Sequence, residues 1–274
     1  VSDWAIGGGG GFDADARVTA SSTMITIADG GSDDALGSWV QMIAATSIQA
    51  EMLLVQLGTQ TAAGTSLIDI GVGTAGNEEV IVPNLQWSVK SGLDAANSFL
   101  VPIRIPQGVR VAMRMRQDGA QPSTTQVGLT LLGQGFAGIR GFGSADSIGA
   151  QTTGSTGTSC DPGTTINTKV ITQLIASTAQ NYKAFLVGIH TDGNVGISPG
   201  NEALIDINVG ASSSEEVIIP DLSHRITTSE GNLSAFYGPF FIEVAASQRL
   251  SASVQCSQNT AGDRLRFISL IGFF

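Results

Sequence analysis

The sequence predicts an all-β chain of two tandem antiparallel β-sandwich domains, jelly-roll-like in pattern, produced by an internal duplication. Three observations carry that prediction. Leu67–Leu85 reads LIDIGVGTAGNEEVIVPNL, and 137 residues further on Leu204–Leu222 reads LIDINVGASSSEEVIIPDL. A period of roughly 20–50 residues would mean a solenoid or propeller, whereas this spacing is that of a whole domain. The second observation is composition: 42% of the residues are hydrophobic, only 13% are charged, and 35 are glycine. A typical domain is about 25% charged, so the chain is poorly supplied for ion-paired surface helices and well supplied for short strands and turns. The third is local pattern. Apolar, β-branched segments of strand length recur with turn residues between them, and no window shows a clear 3.6-residue stripe. Ala44–Met52, AATSIQAEM, is the best helical candidate, and it is short.

Residues 1–16 form a glycine-rich arm whose large apolar groups are Trp4 and Phe12. Five consecutive glycines cannot hold a conformation by themselves, so the arm is either an unstructured tail or a tether that docks on a neighbouring subunit through Trp4. The first sandwich is expected over 17–137. RVTASSTMITI opens it from Arg17, and Ala28–Gly37 is a turn-laden loop. Trp39–Ile43 and Met52–Leu57 read as strands. In the next strand Ile68, Ile70 and Val72 share one face and Asp69 takes the other. Val80–Leu85 is an apolar run that should stop at Pro83 and Asn84. Phe99–Ile105, the turn Pro106-Gln107-Gly108 and Val109–Met115 read as strand, turn, strand, and Gln126–Leu132 closes the copy.

Segment 138–167, loaded with Gly, Ser and Thr, reads partly as linker and partly as a degenerate first strand. The second sandwich, 168–274, repeats the layout. Gln173–Ala176 answers Gln41–Ala44, Phe185–Val187 answers Leu53–Val55, Phe241–Val244 answers Pro102–Ile105, and Arg249–Cys256 answers Arg110–Gln117.

Charge and cysteine content bound the function. Net charge is −10 with a pI near 4.5, which argues against nucleic-acid binding, since that needs a basic footprint. The two cysteines, Cys160 and Cys256, both lie in the second copy; the first copy has none, so a disulfide framework does not hold the fold, and a Cys160–Cys256 bond stays open. The opening residues lack the basic and apolar regions of a signal peptide, and no apolar run reaches the roughly 18 residues of a membrane span. A soluble chain with no membrane partner is expected.

Several motifs resemble catalytic signatures and fail on context. Gly71, Gly73 and Gly76 match G-x-G-x-x-G, but a strand with a proline follows where a dinucleotide site needs a helix. Gly196, Ser198 and Gly200 match G-x-S-x-G, yet Pro199 removes the N–H that an oxyanion hole would use. Asp192, Asn194, Ser198 and Glu202 are spaced loosely like a calcium loop, but Ile197 stands where its glycine belongs. His190 and His224 are the only histidines, and neither recurs in the first copy. The repeated pairs Glu78-Glu79 and Glu215-Glu216 point to opposite faces of a strand and read as guards against stray edge pairing. Asp69 and Asp206 read as loop-anchoring or solvent-facing acids. No catalytic residue, metal ligand set or cofactor is expected.

One asymmetry stands out. Arg110, Arg114 and Arg116 alternate with Val111, Met113 and Met115, so they line one strand face, with Arg104 nearby; the second copy has Arg249, Ser253 and Gln255 there. The row is either a solvated outer face or an interface meeting carboxylates of another subunit, which suits Arg forks. A third reading, contact with packaged nucleic acid, is weakened by the net negative charge. Trp4, Arg104, Arg110, Arg114 and Arg116 are therefore the candidate interface residues.

LIDIGVG…GNEEVIVPNL followed by VPIRIPQGVRVAMRMRQ resembles structural proteins of tailed bacteriophages, over the second half of each copy. The resemblance implies a non-enzymatic virion component built of β-sandwiches: a decoration or cement protein on the head surface, a spike, or a tail accessory. Its implied partners are other virion proteins, of capsid shell or tail, and copies of itself in a homo-oligomer, a trimer being one option. A double jelly-roll capsid protein also fits the length. The competing class is a carbohydrate-binding or receptor-binding module, which would show an exposed aromatic platform. Trp87 and Tyr237 are the candidates for one, at non-matching positions.

Overall fold

The computed structural model describes residues 24–62, 64–87, 97–117, 122–133, 140–149, 157–191, 201–225, 234–258 and 265–274, together with the backbone of 17–19 and 88–89. The described elements are all strands. In the first repeat they are β1 (Arg17–Thr19), β2 (Ile25–Ala28), β3 (Val40–Ile43), β4 (Ala50–Gln60), β5 (Gly64–Val72), β6 (Glu79–Val89), β7 (Asn97–Val101), β8 (Val111–Gln117) and β9 (Thr124–Gly133). The second repeat has β10 (Ala145–Ile148), β11 (Thr158–Cys160), β12 (Val170–Ile175), β13 (Ala184–His190), β14 (Glu202–Val209), β15 (Glu216–Arg225), β16 (Ala235–Phe240), β17 (Leu250–Cys256) and β18 (Arg266–Phe273). Among the described residues no helix is long and apolar enough to cross a membrane.

Each repeat is two antiparallel sheets face to face. In the first, β1-β9-β4-β7, with β2 also on β9, lies against β3-β8-β5-β6. In the second, β10-β18-β13-β16, with β11 also on β18, lies against β12-β17-β14-β15. The two orders match strand for strand, and they are jelly-roll orders, in which the chain crosses between the sheets at most connections and stays in one sheet at the β5–β6 and β14–β15 hairpins. Segment 138–167 thus supplies β10 and β11 to the second sandwich.

Two local expectations are corrected. Ala44–Met52 is bend and strand rather than helix, because Ala50 begins β4 and pairs with Gly133 and Ile105. β6 does not stop at Pro83 but runs to Val89, as the edge strand of its sheet, where a proline's missing donor breaks no ladder. RVTASSTMITI is two described strands, β1 and β2, both paired to β9.

Alternation places Leu53, Val55 and Leu57 of β4 with Ile68 and Ile70 of β5 and Met113 and Met115 of β8 in the first core. Phe185, Val187 and Ile189 of β13 pack with Ile205 and Ile207 of β14 in the second. The other face of the β13–β18 sheet is not in water. Ala184, Leu186, Ile271 and Phe273 belong to the first repeat's apolar cluster, so this sheet is buried on both sides. That is why all seven residues of β13 are buried and why it reads as an unbroken apolar run. Phe99 of β7 stacks on Phe236 of β16 at 4.2 Å between centroids, and Phe142 lies 6.2 Å from Phe273. The crossing segment is laced to both sides: Phe142 N–H donates to Pro102 O at 2.9 Å, and Phe274 N–H to Ser144 O at 3.1 Å. The chain is therefore one block with a continuous apolar seam between its repeats.

Candidate functional site

The polar side chains that recur between repeats gather on the outer face and turns of the β3-β8-β5-β6 sheet and its counterpart. Asp69 sits mid-strand in β5 where the register with β6 slips, and its Oδ1 accepts the N–H of Asn84 at 3.0 Å. Asp206 repeats this in β14, accepting the N–H of Asp221 at 2.9 Å. Asn84 and Asp221, each following a proline, have positive φ of 52° and 48°. A left-handed residue leaves the ladder, and the carboxylate takes the freed donor. Both aspartates are buried, so their anchoring role holds and a solvent-facing one does not.

The glutamate pairs also have a definite use. Arg110 donates through Nη1 to Glu78 at 2.5 Å and through Nε to Gln41 at 3.2 Å. Arg249 makes the same two bonds, to Glu215 at 2.7 Å and Gln173 at 3.0 Å. One guanidinium thus ties the β5–β6 or β14–β15 turn to the sheet edge in each repeat, which replaces the reading of Glu78 and Glu215 as edge guards. For Glu78, removal from water pushes the carboxyl pKa up, but the bond from Arg110 and nearby backbone N–H groups hold it below the ordinary value. For Glu215, backbone N–H bonding and Arg249 lower it against the same opposing effect.

The five candidate interface residues divide clearly. Trp4 lies outside the described residues. Arg104 donates through Nε to Glu51 at 3.2 Å, and Glu51 also accepts Gly141 N–H at 2.8 Å, so this pair braces the crossing between repeats. Desolvation raises the Glu51 pKa, but the bonds from Gln49, Gly141 and Arg104 outweigh it and leave the group below its ordinary value. Arg114 faces Asp69 across the β5–β8 ladder and donates to it at 3.0 Å; Arg116 donates to Asn84 at 3.1 Å. Each of the four arginines makes at least one bond within its own repeat, while Arg116 Nε is buried without a partner and the Arg104 side chain stays 45% exposed. Sequence alternation showed the face; it could not show that β5 and the following turns present the partners.

The same face has diverged between repeats, and sequence reading missed it. In the first, the Trp39 ring lies 4.4 Å from the Arg114 guanidinium, a cation–π contact, and covers Gly71. In the second, Ile171, Ser253 and Asn208 take the places of Trp39, Arg114 and Gly71, and Lys169 supplies the cation for Asp206 at 2.5 Å, with Ser253 Oγ donating to the same oxygen at 2.8 Å. Glycine at 71 is matched to the indole, since a Cβ there would fall 2.6 Å from Trp39 and 3.0 Å from Glu79 O. Gly71→Asn should therefore cost about 1–3 kcal/mol as overpacking. Adding Trp39→Ile, which restores the second repeat's pairing, should recover part of that loss in denaturant unfolding. Strictly additive losses across the four proteins would show that the two positions are not coupled.

Gly73 and Gly76, with φ of 126° and 86°, sit in the β5–β6 turn, so no helix follows the glycine motif. Ser198 and the 192–200 part of the calcium-like run lie outside the described residues. His190 is buried and stacks on Phe267 at 5.0 Å, and His224 is buried in β15. Trp87 is buried in the first core and Tyr237 is half-buried, so neither forms an exposed aromatic platform. Cys160 and Cys256 are both unbonded and buried, and burial pushes the Cys160 thiol up to about 12. Among the described residues no group of three or more His, Cys, Asp and Glu is placed to hold a metal ion. A shallow cleft of about 120 Å³, lined by Asn167, Glu202, Leu204, Gln255, Cys256 and Ser257, opens at one end of the β12-β17-β14-β15 sheet.

No protein-family model matches the sequence, and a search of curated proteins finds no match. Among solved structures, the chain is similar to the N-terminal CBM22-1-CBM22-2 tandem domain of Xyn10C from Paenibacillus barcinonensis, at 8% identity over 95% of this chain and 99% of that one, with a TM-score of 0.28. At that score the superposition is too loose to carry a functional inference. The fold defines the class: a fused pair of jelly-roll sandwiches.

Proposed function

We propose that the chain is a non-enzymatic structural protein of a bacteriophage virion, seated as a decoration or cement protein on the head surface. The observation that supports this best is the apolar seam through Leu186, Ile271 and Phe273, which fixes the two sandwiches as one stiff block. A shell component needs faces held at set angles under load, and a seam closed to water supplies that. The recurring arginine and aspartate contacts act in the same direction, bracing turns and bulges within each repeat. The partners in this reading are shell or tail proteins and further copies of the chain, in a homo-oligomer for which a trimer is one option; location is the virion.

The jelly-roll order of both repeats favours a second reading, a shell-forming double jelly-roll protein. Electron microscopy of purified particles with the chain gold-labelled, alongside particles made without it, separates them. A decoration protein labels intact heads and is dispensable for their assembly. Loss of heads on deletion points to the shell protein instead, and label confined to tails, or absent from particles, overturns the head assignment. A carbohydrate- or receptor-binding module is the reading from a different class, and the buried, unpaired Asn208 Nδ2 and Ser251 Oγ on the outer sheet of the second repeat favour it.

A further inference from the structure

We propose that the outer face of the β12-β17-β14-β15 sheet is a binding surface for a neutral, hydroxyl-bearing ligand of the saccharide class, recognised by Asn208 and Ser251 once the side chains over them turn aside. The argument begins with the two copies of one face. In the first repeat the face is closed by the Trp39 ring over Gly71. In the second, Ile171 is too small to reach across, and Asn208 and Ser251 replace Gly71 and Ala112 beneath it. Register puts Gln173, Ser251, Asn208 and Val217 in one row across the four strands.

Two features of that row point to a ligand. Asn208 is 2% exposed and Ser251 0%, yet Asn208 Nδ2 and Ser251 Oγ have no hydrogen-bond partner. Buried polar atoms are normally paired, and a site with unmet donors gains when a ligand meets them. Apolar side chains flank them: Ile171 and Val217 are each 48% exposed. Such exposure is unusual for large aliphatic groups, and here it borders the unpaired amide and hydroxyl.

The charges decide the chemical class. Lys169 is paired with Asp206 and Asp221, and Arg249 with Glu215, so an incoming charge finds its counter-charges already engaged. A hydroxyl oxygen can accept from Asn208 Nδ2 and exchange a bond with Ser251 Oγ. The C–H face of a sugar ring suits Ile171 and Val217. Seating it requires the flanking side chains to turn aside from Asn208 and Ser251. This inference does not depend on where the chain resides.

The test uses the full chain on immobilised dextran, mannan and xylan, with acidic polygalacturonate for comparison, beside Asn208→Ala and Ser251→Ala. Binding to at least one neutral polymer is expected, weakened about tenfold by either substitution, the loss that follows from one neutral hydrogen bond. Thermal unfolding of both variants should be unchanged or shifted upward, since each removes an unpartnered buried atom; a residue with only a structural role would show the reverse. Retention on none of the three neutral polymers, retention on polygalacturonate alone, or equal retention of the variants would overturn the proposal.

Discussion

Phe273→Ala should lower the stability of the whole chain by about 3–5 kcal/mol, the usual range for emptying a buried aromatic site. Phe273 is fully buried on the outer face of β18, and its ring faces the first repeat, near Phe142. The cavity opens at the seam rather than inside one sandwich, so both repeats should lose support together. Two sets of probes separate the halves. Trp39 and Trp87 report the first repeat by fluorescence, and the buried thiols Cys160 and Cys256 report the second by their reactivity on unfolding. In the native chain the two signals should change at one denaturant concentration, as two-state unfolding requires. In the variant both midpoints should fall. A fall in thiol protection with the indole signal unmoved would mean that the sandwiches are merely adjacent.

Asp206→Ala should cost about 3 kcal/mol near neutral pH, at the low end for breaking a buried charge pair because Lys169 keeps some contact with water. The carboxylate of Asp206 holds Asp221 N–H, Lys169 Nζ and Ser253 Oγ at once, so truncation leaves three donors unmet at the bulge. Asp206→Asn keeps an acceptor for the backbone donor and should lose less. The effect should depend on pH in a definite sense. Burial alone pushes the Asp206 carboxyl up, but the bonds from Asp221, Lys169 and Ser253 bring it below its ordinary value of 3.8. The folded state therefore releases this proton more readily than the unfolded one. The resulting stability is present above pH 3.8 and is lost as pH falls through the lower folded value. Lys169 is shifted upward, first by its bond to Asp206, so its share is present below pH 10.5 and is lost at higher pH. Urea unfolding at pH 7 and pH 3 should show a smaller gap between native and variant at the second than at the first. A gap that did not change with pH would rule out the charged contact as its source.

Much of the architecture was legible because the chain states it twice. The glycine of one turn, Gly108, becomes Ser247 in the other copy, yet both hold positive φ, 82° and 63°. Gly76 and Ser213 behave alike, at 86° and 70°. The fold, more than the residue, sets those turns, so aligning the copies locates them even where glycine is lost. The run through Pro83 misled because strand ends are inferred from missing donors, and an edge strand needs only half of its own. At the candidate site, alternation exposed the arginine face, but a partner lies across a ladder that sequence spacing does not reveal. Arg114 and Asp69 are 45 residues apart and directly opposite. The divergence of that face in the second repeat was hidden for a related reason: Ile171, Asn208 and Ser251 are ordinary strand residues until they are set against their counterparts Trp39, Gly71 and Ala112.

The sheet shared by both hydrophobic interiors also constrains inheritance. Substitutions at Leu186 or Ile271, which lie directly opposite each other in β13 and β18, are tested against two neighbourhoods at once. A gene carrying only the downstream half would encode a protein born with a bare hydrocarbon wall, prone to stick to its siblings before reaching any destination. The doubled gene is therefore bound to travel whole.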